Sequence, residues 1–158
     1  MADVIQPGQF APDFTLRTAD GEISLDDLRG HPAVLVFYPA DWSSVCGDQL
    51  SMLERSRSRI EAHGAQIVGI SVDGRHSHAA YTDAKNLGFP LASDFEPKGE
   101  VARRYGVYRD DGGTAQRALV VLDADGQVTW SYVSPIGEDP GVAGILDALE
   151  QLDGDGGA

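Results

Sequence analysis

Two uninterrupted apolar runs, AVLVFY at 33–38 and QIVGISV at 66–72, constrain the fold most strongly. Such runs, rich in β-branched and aromatic residues, are typical of strands buried on both faces. Between them the pattern predicts a helix over 43–63. One face of that helix carries Cys46, Leu50, Leu53 and Ile60 at helical spacing. A buried strand, a helix and a second buried strand together predict an α/β architecture.

The rest of the chain extends this unit. We expect a hairpin over 13–25, a second hairpin with strands at 118–123 and 127–133, and helices over 75–87, 98–105 and 140–152. This order is compatible with a thioredoxin-like fold, in which helices flank a mixed central sheet, here with an N-terminal hairpin. We expect one domain over 1–152 and a flexible acidic tail over 153–158.

Charge and cysteine content exclude several classes of function. The net charge of −13 argues against binding to nucleic acid or to an anionic membrane surface. No run approaches a membrane span, and the first residues lack the pattern of a secretory signal, so we expect a cytoplasmic protein. The single cysteine, Cys46, excludes an internal disulfide and a zinc site built from several thiolates.

Cys46 is the strongest candidate for chemistry. It falls in the first turn of the helix predicted after the first buried strand, and helix N-termini present free N–H groups and a partial positive charge. Both features stabilise a thiolate, the reactive form of cysteine. Pro39 ends the strand, and the Ser43 hydroxyl lies three residues before the cysteine, within reach of the sulfur or of a bound oxygen. The alternative is a small, buried and inert side chain.

Four positions in this context resemble the peroxiredoxins of the alkyl hydroperoxide reductase and thiol-specific antioxidant superfamily. Pro39, Ser43 and Cys46 match the Pro-x-x-x-Thr/Ser-x-x-Cys motif of that family, and Arg117 matches its active-site arginine. The likeness extends from FAPDF at 10–14 to the last predicted helix, and includes the segment FPLASDFEPKGEVARRYGV.

The resemblance implies a thiol-dependent peroxidase that needs no cofactor and no metal. Cys46 would attack a hydroperoxide and become a sulfenic acid, while Ser43 and the Cys46 N–H bind the peroxide oxygens. Arg117 would stabilise the thiolate and the charge of the transition state, and Pro39 would shield the sulfur. The implied partners are hydrogen peroxide or an organic hydroperoxide, an external thiol or thioredoxin-like reductant, and a second copy of the chain in a homodimer.

Three residues depart from the family pattern. Ser43 replaces the commoner threonine, and Gln49 stands where many members carry a glutamate, which puts any role of that carboxylate in doubt. Ser51 stands five residues after Cys46, where some members place a resolving cysteine. With no second cysteine, the chain is of the one-cysteine type.

Two other functions remain open at this point. A thiol–disulfide oxidoreductase on the same fold would need a second cysteine at Cys-x-x-Cys spacing, where this chain has Gln49. A non-catalytic binding module would leave Cys46 inert. His76 and His78, with Asp73 nearby, have no third ligand at recognisable spacing, so we do not expect a metal site.

Overall fold

The computed structural model describes residues 4–156 and contains a seven-stranded mixed sheet with helices on both faces. The sheet order is β2-β1-β5-β4-β3-β8-β9, with β1 Thr15–Arg17, β2 Glu22–Ser24, β3 Ala33–Phe37, β4 Gln66–Ser71, β5 Leu91–Ser93, β8 Arg117–Leu122 and β9 Val128–Ser134. A small separate hairpin consists of β6 Tyr108–Arg109 and β7 Thr114–Ala115. The helices are α1 Leu25–Leu28, α2 Ser44–Arg55, α3 Arg57–Glu61, α4 Arg75–Lys85, α5 Glu100–Arg104 and α6 Ala143–Gly156. The predicted thioredoxin-like arrangement with an N-terminal hairpin is confirmed.

β3 lies inside the sheet, parallel to β4 and antiparallel to β8. All five of its residues are buried, as the apolar run predicts. Because successive side chains point to opposite faces, Val34 and Val36 enter the core beneath α2, while Leu35 and Phe37 enter the core on the other face. The carboxyl end of β3 therefore leads directly into the loop before α2.

The N-terminal hairpin follows its sequence signals. β1 pairs with β2, and the Thr18 N–H donates to Gly21 O across the turn. Ser24 caps α1 through a capping box with Asp27, in which each side chain accepts from the other residue's backbone N–H.

The predicted helix over 43–63 is wrong in one respect, because it is two helices separated by Ser56. At this junction Ser56 has φ −97° and ψ 0°, and its backbone N–H is shared between Met52 O and Leu53 O, an arrangement common at helix ends. α4 ends earlier than the predicted residue 87, with Asn86 in a left-handed conformation (φ 52°) as its C-cap. The stripe formed by Cys46, Leu50, Leu53 and Ile60 is buried as expected.

The two short strand regions at β5 and β6–β7 have no counterpart in the predicted elements. Each strand has only two or three residues, too few to show an alternating pattern. β5 is held by pairing with β4 and β1, which are distant in sequence.

The ends of the chain leave part of the domain prediction open. α6 continues to Gly156, whereas 1–3 and 157–158 lie outside the described residues. The flexible tail over 153–158 therefore stays a prediction.

Within residues 4–156, every helix is too short or too polar to cross a lipid bilayer.

Candidate active site

The loop between β3 and α2 brings the chain from the sheet to Cys46. Tyr38 and Pro39 are buried directly after β3, and Pro39, which lacks an N–H, ends the strand pairing. Ser43 is the N-cap of α2. These signals are local, which explains why the sequence predicts the position of the helix start.

Trp42 occupies a strained backbone conformation in this loop. Its φ of 71° lies in the left-handed region, which is unfavourable for a bulky side chain. The indole is 58% exposed and makes an edge contact with the Tyr81 ring on α4, with ring centroids 4.9 Å apart. The contacts around this loop must therefore compensate for the strain just before Ser43.

Cys46 lies in the first turn of α2 and is fully buried. Its backbone N–H donates to Ser43 Oγ at 3.5 Å, a long capping bond that leaves the hydroxyl hydrogen free for another acceptor. The sulfur faces positive groups from two sides, namely the N-terminus of α2 and the guanidinium of Arg117. Both groups are placed to stabilise negative charge at this position.

Arg117, the first residue of β8, places its guanidinium against the sulfur. Nη1 donates to Cys46 Sγ at 3.3 Å and to Gln49 Oε1 at 2.7 Å. Nε and Nη2 both donate to Ile136 O, at 3.1 and 2.9 Å. The side chain is 2% exposed, so these bonds fix its orientation in a region without solvent.

Gln49, which stands where many family members carry a glutamate, accepts a hydrogen bond from Arg117. Its side chain is on the same helix as Cys46 and accepts from Arg117, while its own Nε2 is buried with no hydrogen-bond partner in the part of the chain that the structure describes. The position that a second cysteine would occupy in a Cys-x-x-Cys motif thus holds a neutral ligand of the arginine.

A buried polar network anchors the same loop from behind. Asp41 Oδ1 accepts from the Tyr38 hydroxyl at 2.7 Å, and Oδ2 accepts from Ser77 Oγ at 2.8 Å and lies 2.8 Å from His78 Nδ1. The Asp41 N–H donates to Asp73 Oδ2 at 2.8 Å. The side chains of Asp41 and His78 are both fully buried. The network therefore links the loop to the end of β4 and to α4.

The phenol of Tyr38 and the imidazole of His78 in this network both face oxygen atoms. Burial, followed by the Asp41 carboxylate, raises the pKa of Tyr38 well above its ordinary value, so the phenol stays a donor. The second nitrogen of His78, Nε2, lies 3.2 Å from Ala92 O, so both ring nitrogens face acceptor oxygens. The Asp41 and His78 side chains therefore hold each other in one orientation through a hydrogen bond enclosed by protein.

Tyr81 is the other buried polar group near the helix start. Among residues 4–153 its hydroxyl has no hydrogen-bond partner, and it lies 3.3 Å from the place that a Cβ on Gly47 would occupy. Burial raises the pKa of Tyr81 to about 12, and the nearby Cys46 contributes to the shift. The phenol is therefore neutral over the physiological pH range.

The structure brings together three of the four predicted site residues by direct contact. Ser43 and Arg117 both contact Cys46, and Pro39 is buried in the loop that leads to them. Their catalytic roles stay predictions.

A cavity of about 570 Å³ lies elsewhere, lined in part by Arg17, Arg75, His76 and Phe95, and Cys46 does not reach it.

Sequence reasoning missed the part of the site that His78 and Asp41 form. In the sequence His78 suggests only a metal ligand beside His76, whereas in the structure His78 is buried and His76 is exposed. One signal was available, because His78 and Tyr81 are three residues apart and therefore share one face of α4. Both are buried there.

Comparisons with known proteins agree with this geometry. Residues 7–131 match the model of the AhpC/TSA family. The chain is 32% identical over 151 residues to alkyl hydroperoxide reductase E of Mycobacterium tuberculosis, covering 94% of this chain and 99% of that protein. It is 35% identical over 150 residues to the chloroplastic peroxiredoxin Q of Oryza sativa subsp. japonica, covering 94% of this chain and 68% of that protein.

A solved structure supports the same relationship. The peroxidoxin BcpB from Mycobacterium tuberculosis superposes with a TM-score of 0.84 at 27% identity, covering 94% of this chain and 98% of that chain.

Proposed function

The chain belongs to the AhpC/TSA family of peroxiredoxins and is a thiol-dependent peroxidase, and from this premise we propose that Cys46 carries the reaction with Ser43, Arg117 and Pro39. The observation that carries the proposal is the 3.3 Å contact between Arg117 Nη1 and the buried Cys46 Sγ. A sulfur at a helix N-terminus and beside a buried guanidinium is held in its nucleophilic form.

The first half-reaction is a displacement at oxygen. The Cys46 thiolate attacks the terminal oxygen of the hydroperoxide, so that an S–O bond forms as the O–O bond breaks. Sulfur is oxidised to the sulfenic acid, and the departing alkoxide or hydroxide takes a proton from solvent. Arg117 and the Ser43 hydroxyl stabilise the negative charge on the oxygens during this step, and they are already oriented before it begins.

In this proposal Pro39 shields the sulfur of Cys46 from water and takes no part in proton transfer. It is buried at the end of β3 and has no N–H that would need a partner. Its ring keeps water away from the sulfur, which strengthens the interaction between the thiolate and the guanidinium.

The second half-reaction uses a thiol from outside the chain. Cys46 is the only cysteine, so no internal thiol can resolve the sulfenic acid. An external thiol attacks the sulfenic sulfur and releases water, and a second thiol then displaces Cys46 from the mixed disulfide.

Substitution of Cys46 tests the assignment. In a steady-state assay with hydrogen peroxide and a small thiol, Cys46→Ser is expected to abolish turnover. Ser51→Ala is the matched control, because Ser51 lies on the same helix and makes none of the contacts at the sulfur, and it is expected to keep the wild-type rate. Turnover by Cys46→Ser near the wild-type rate would remove Cys46 from the mechanism.

We also propose that the protein forms a homodimer. Large apolar side chains are exposed on the described surface, with Phe10 at 69%, Trp42 at 58% and Phe95 at 58%. Burial of such side chains is a common driving force for association. Sedimentation velocity should give twice the chain mass of 16.8 kDa, whereas a mass of one chain at every concentration would contradict the proposal.

A further inference from the structure

Arg117 is a buried cation without a carboxylate partner in the part of the chain whose side chains are described. Among residues 4–153, no Asp or Glu oxygen lies within the 4.0 Å of an ion pair with its guanidinium. Its neighbours are two neutral oxygens, on Ile136 and Gln49, and the sulfur of Cys46. Because a buried charge is costly unless it is paired, the sulfur is the one contacting group that can supply the opposite charge.

Gln49 binds Arg117 without neutralising its positive charge. A carboxylate at position 49 would accept the same hydrogen bond from Arg117 and would also neutralise it. The amide accepts the bond without adding charge, and its own Nε2 is buried and has no partner among the described side chains and backbone. That unpaired donor has a cost, which a glutamate at this position would not have.

We propose that Gln49 is a positioning residue that orients Arg117 while reserving its positive charge for the Cys46 thiolate. The inference rests on the proposed function of Cys46 and deepens it. A neutral ligand at position 49 gives the thiolate and guanidinium a net charge of zero before the reaction. A carboxylate there would give the trio a net negative charge, which disfavours ionisation of the thiol.

The positive charge of Arg117 is also needed while the peroxide reacts. As the S–O bond forms and the O–O bond breaks, the negative charge moves from sulfur to the departing oxygen, which then takes a proton from solvent. Arg117, with no carboxylate to compete for it, stabilises this charge at both positions. Gln49 touches neither the peroxide nor the sulfur in this account and acts only through the arginine.

The other titratable groups around Cys46 do not change with residue 49. From α4, Tyr81 stays neutral, because burial raises its pKa to about 12. Lys85, also on α4, has its amine near Gly47, and Asp48 is on α2 itself; both are exposed to solvent and therefore screened. In the loop before α2, Asp41 is paired with His78. A change caused by substitution at 49 therefore reports the pairing with Arg117.

The size of the effect follows from the distances. Both Cys46 Sγ and Gln49 Oε1 bond to the same Nη1, so they are separated by no more than about 6 Å. A unit negative charge about 6 Å away, with an effective dielectric constant near 20, shifts a titration by roughly two pH units, and a shorter separation gives a larger shift.

The experiment is an ultraviolet titration of the thiolate in wild type, Gln49→Glu and Gln49→Met, with Cys46→Ser as the background. Gln49→Glu is expected to raise the titration midpoint by about two pH units, and to lower the rate constant with hydrogen peroxide about 100-fold at pH values below the wild-type midpoint. Gln49→Met has similar length and no charge, so its midpoint is expected to stay within about 0.5 unit of wild type, even if a less ordered Arg117 lowers its rate.

Two results would overturn the inference. One is a midpoint in Gln49→Glu equal to that of wild type, and the other is an equal shift in both variants, which would indicate a purely structural role. Circular dichroism confirms that each variant is folded. Because the titration does not require peroxide turnover, a failure of this charge argument is distinguishable from a failure of the proposed peroxidase mechanism.

Discussion

Asp41→Ala removes the centre of the buried network behind the active-site loop. The Asp41 carboxylate contacts Tyr38, Ser77 and His78, and the side chains of Asp41 and His78 are fully buried. Alanine leaves the imidazole and two hydroxyls without their acceptor. A buried donor left without its acceptor costs about 1–3 kcal/mol, so the loss of all three contacts is expected to cost about 3–5 kcal/mol of folding free energy. With an m-value of about 2 kcal/mol per M, the urea midpoint is expected to fall by about 2 M.

The test is urea unfolding at neutral pH, followed by tryptophan fluorescence and by circular dichroism. Asp41→Asn is the matched control, because an amide of the same shape still accepts one or two of the hydrogen bonds, and we expect it to lose about 1–3 kcal/mol. A loss below about 1 kcal/mol in Asp41→Ala would refute the reasoning, since it would mean that the buried donors do not depend on Asp41 as their acceptor. Under conditions where Asp41→Ala is folded, we also expect slower reaction with peroxide, because the strained loop before Ser43 loses its anchor.

Three further predictions concern single contacts. Arg117→Ala should slow peroxide attack about 10- to 100-fold through loss of a charge-assisted hydrogen bond, with Arg117→Lys intermediate, as stopped-flow measurements can show; equal rates would remove Arg117 from the site. Ser43→Ala should lower the free energy of unfolding by about 0.5–1 kcal/mol through loss of a weak N-cap, whereas Ser43→Thr should retain it; equal thermal stability of the two variants would contradict the capping role. For Tyr81, burial raises the folded-state pKa from 10.0 to about 12, so unfolding releases a proton in that window and wild-type stability falls as pH rises through it. Tyr81→Phe should reduce this fall, and an identical pH dependence of chemical unfolding would show that the phenol is not shielded.

Much of the fold and part of the site could be predicted because the signals are local. The run at β3, the proline that ends it and the serine that caps α2 place Cys46 at a helix start without any knowledge of tertiary structure. The N-terminal hairpin and its capped helix have the same kind of short-range signal. Arg117 was different, since it is an ordinary charged residue at the start of a strand, and only the family resemblance indicated a role for it.

The rest depends on contacts between distant residues. Asp41 and His78 are 37 residues apart, and nothing in the type or spacing of either shows that both side chains are buried against each other. Gln49 was recognised as a departure from the family pattern, but its effect follows from the position of Arg117, which is 68 residues away. β5 exists because β4 and β1 pair with it, so its three residues have no pattern of their own.

The central claim is that the Cys46 thiolate is the group that reacts with peroxide. The most direct measurement mixes reduced protein rapidly with one equivalent of hydrogen peroxide and follows tryptophan fluorescence, with a sulfenic-acid trap and intact-mass analysis at the end. The account predicts rapid consumption of the peroxide and a single trapped adduct on Cys46. Oxidation no faster than that of a free thiol in solution, with no adduct on Cys46, would contradict it.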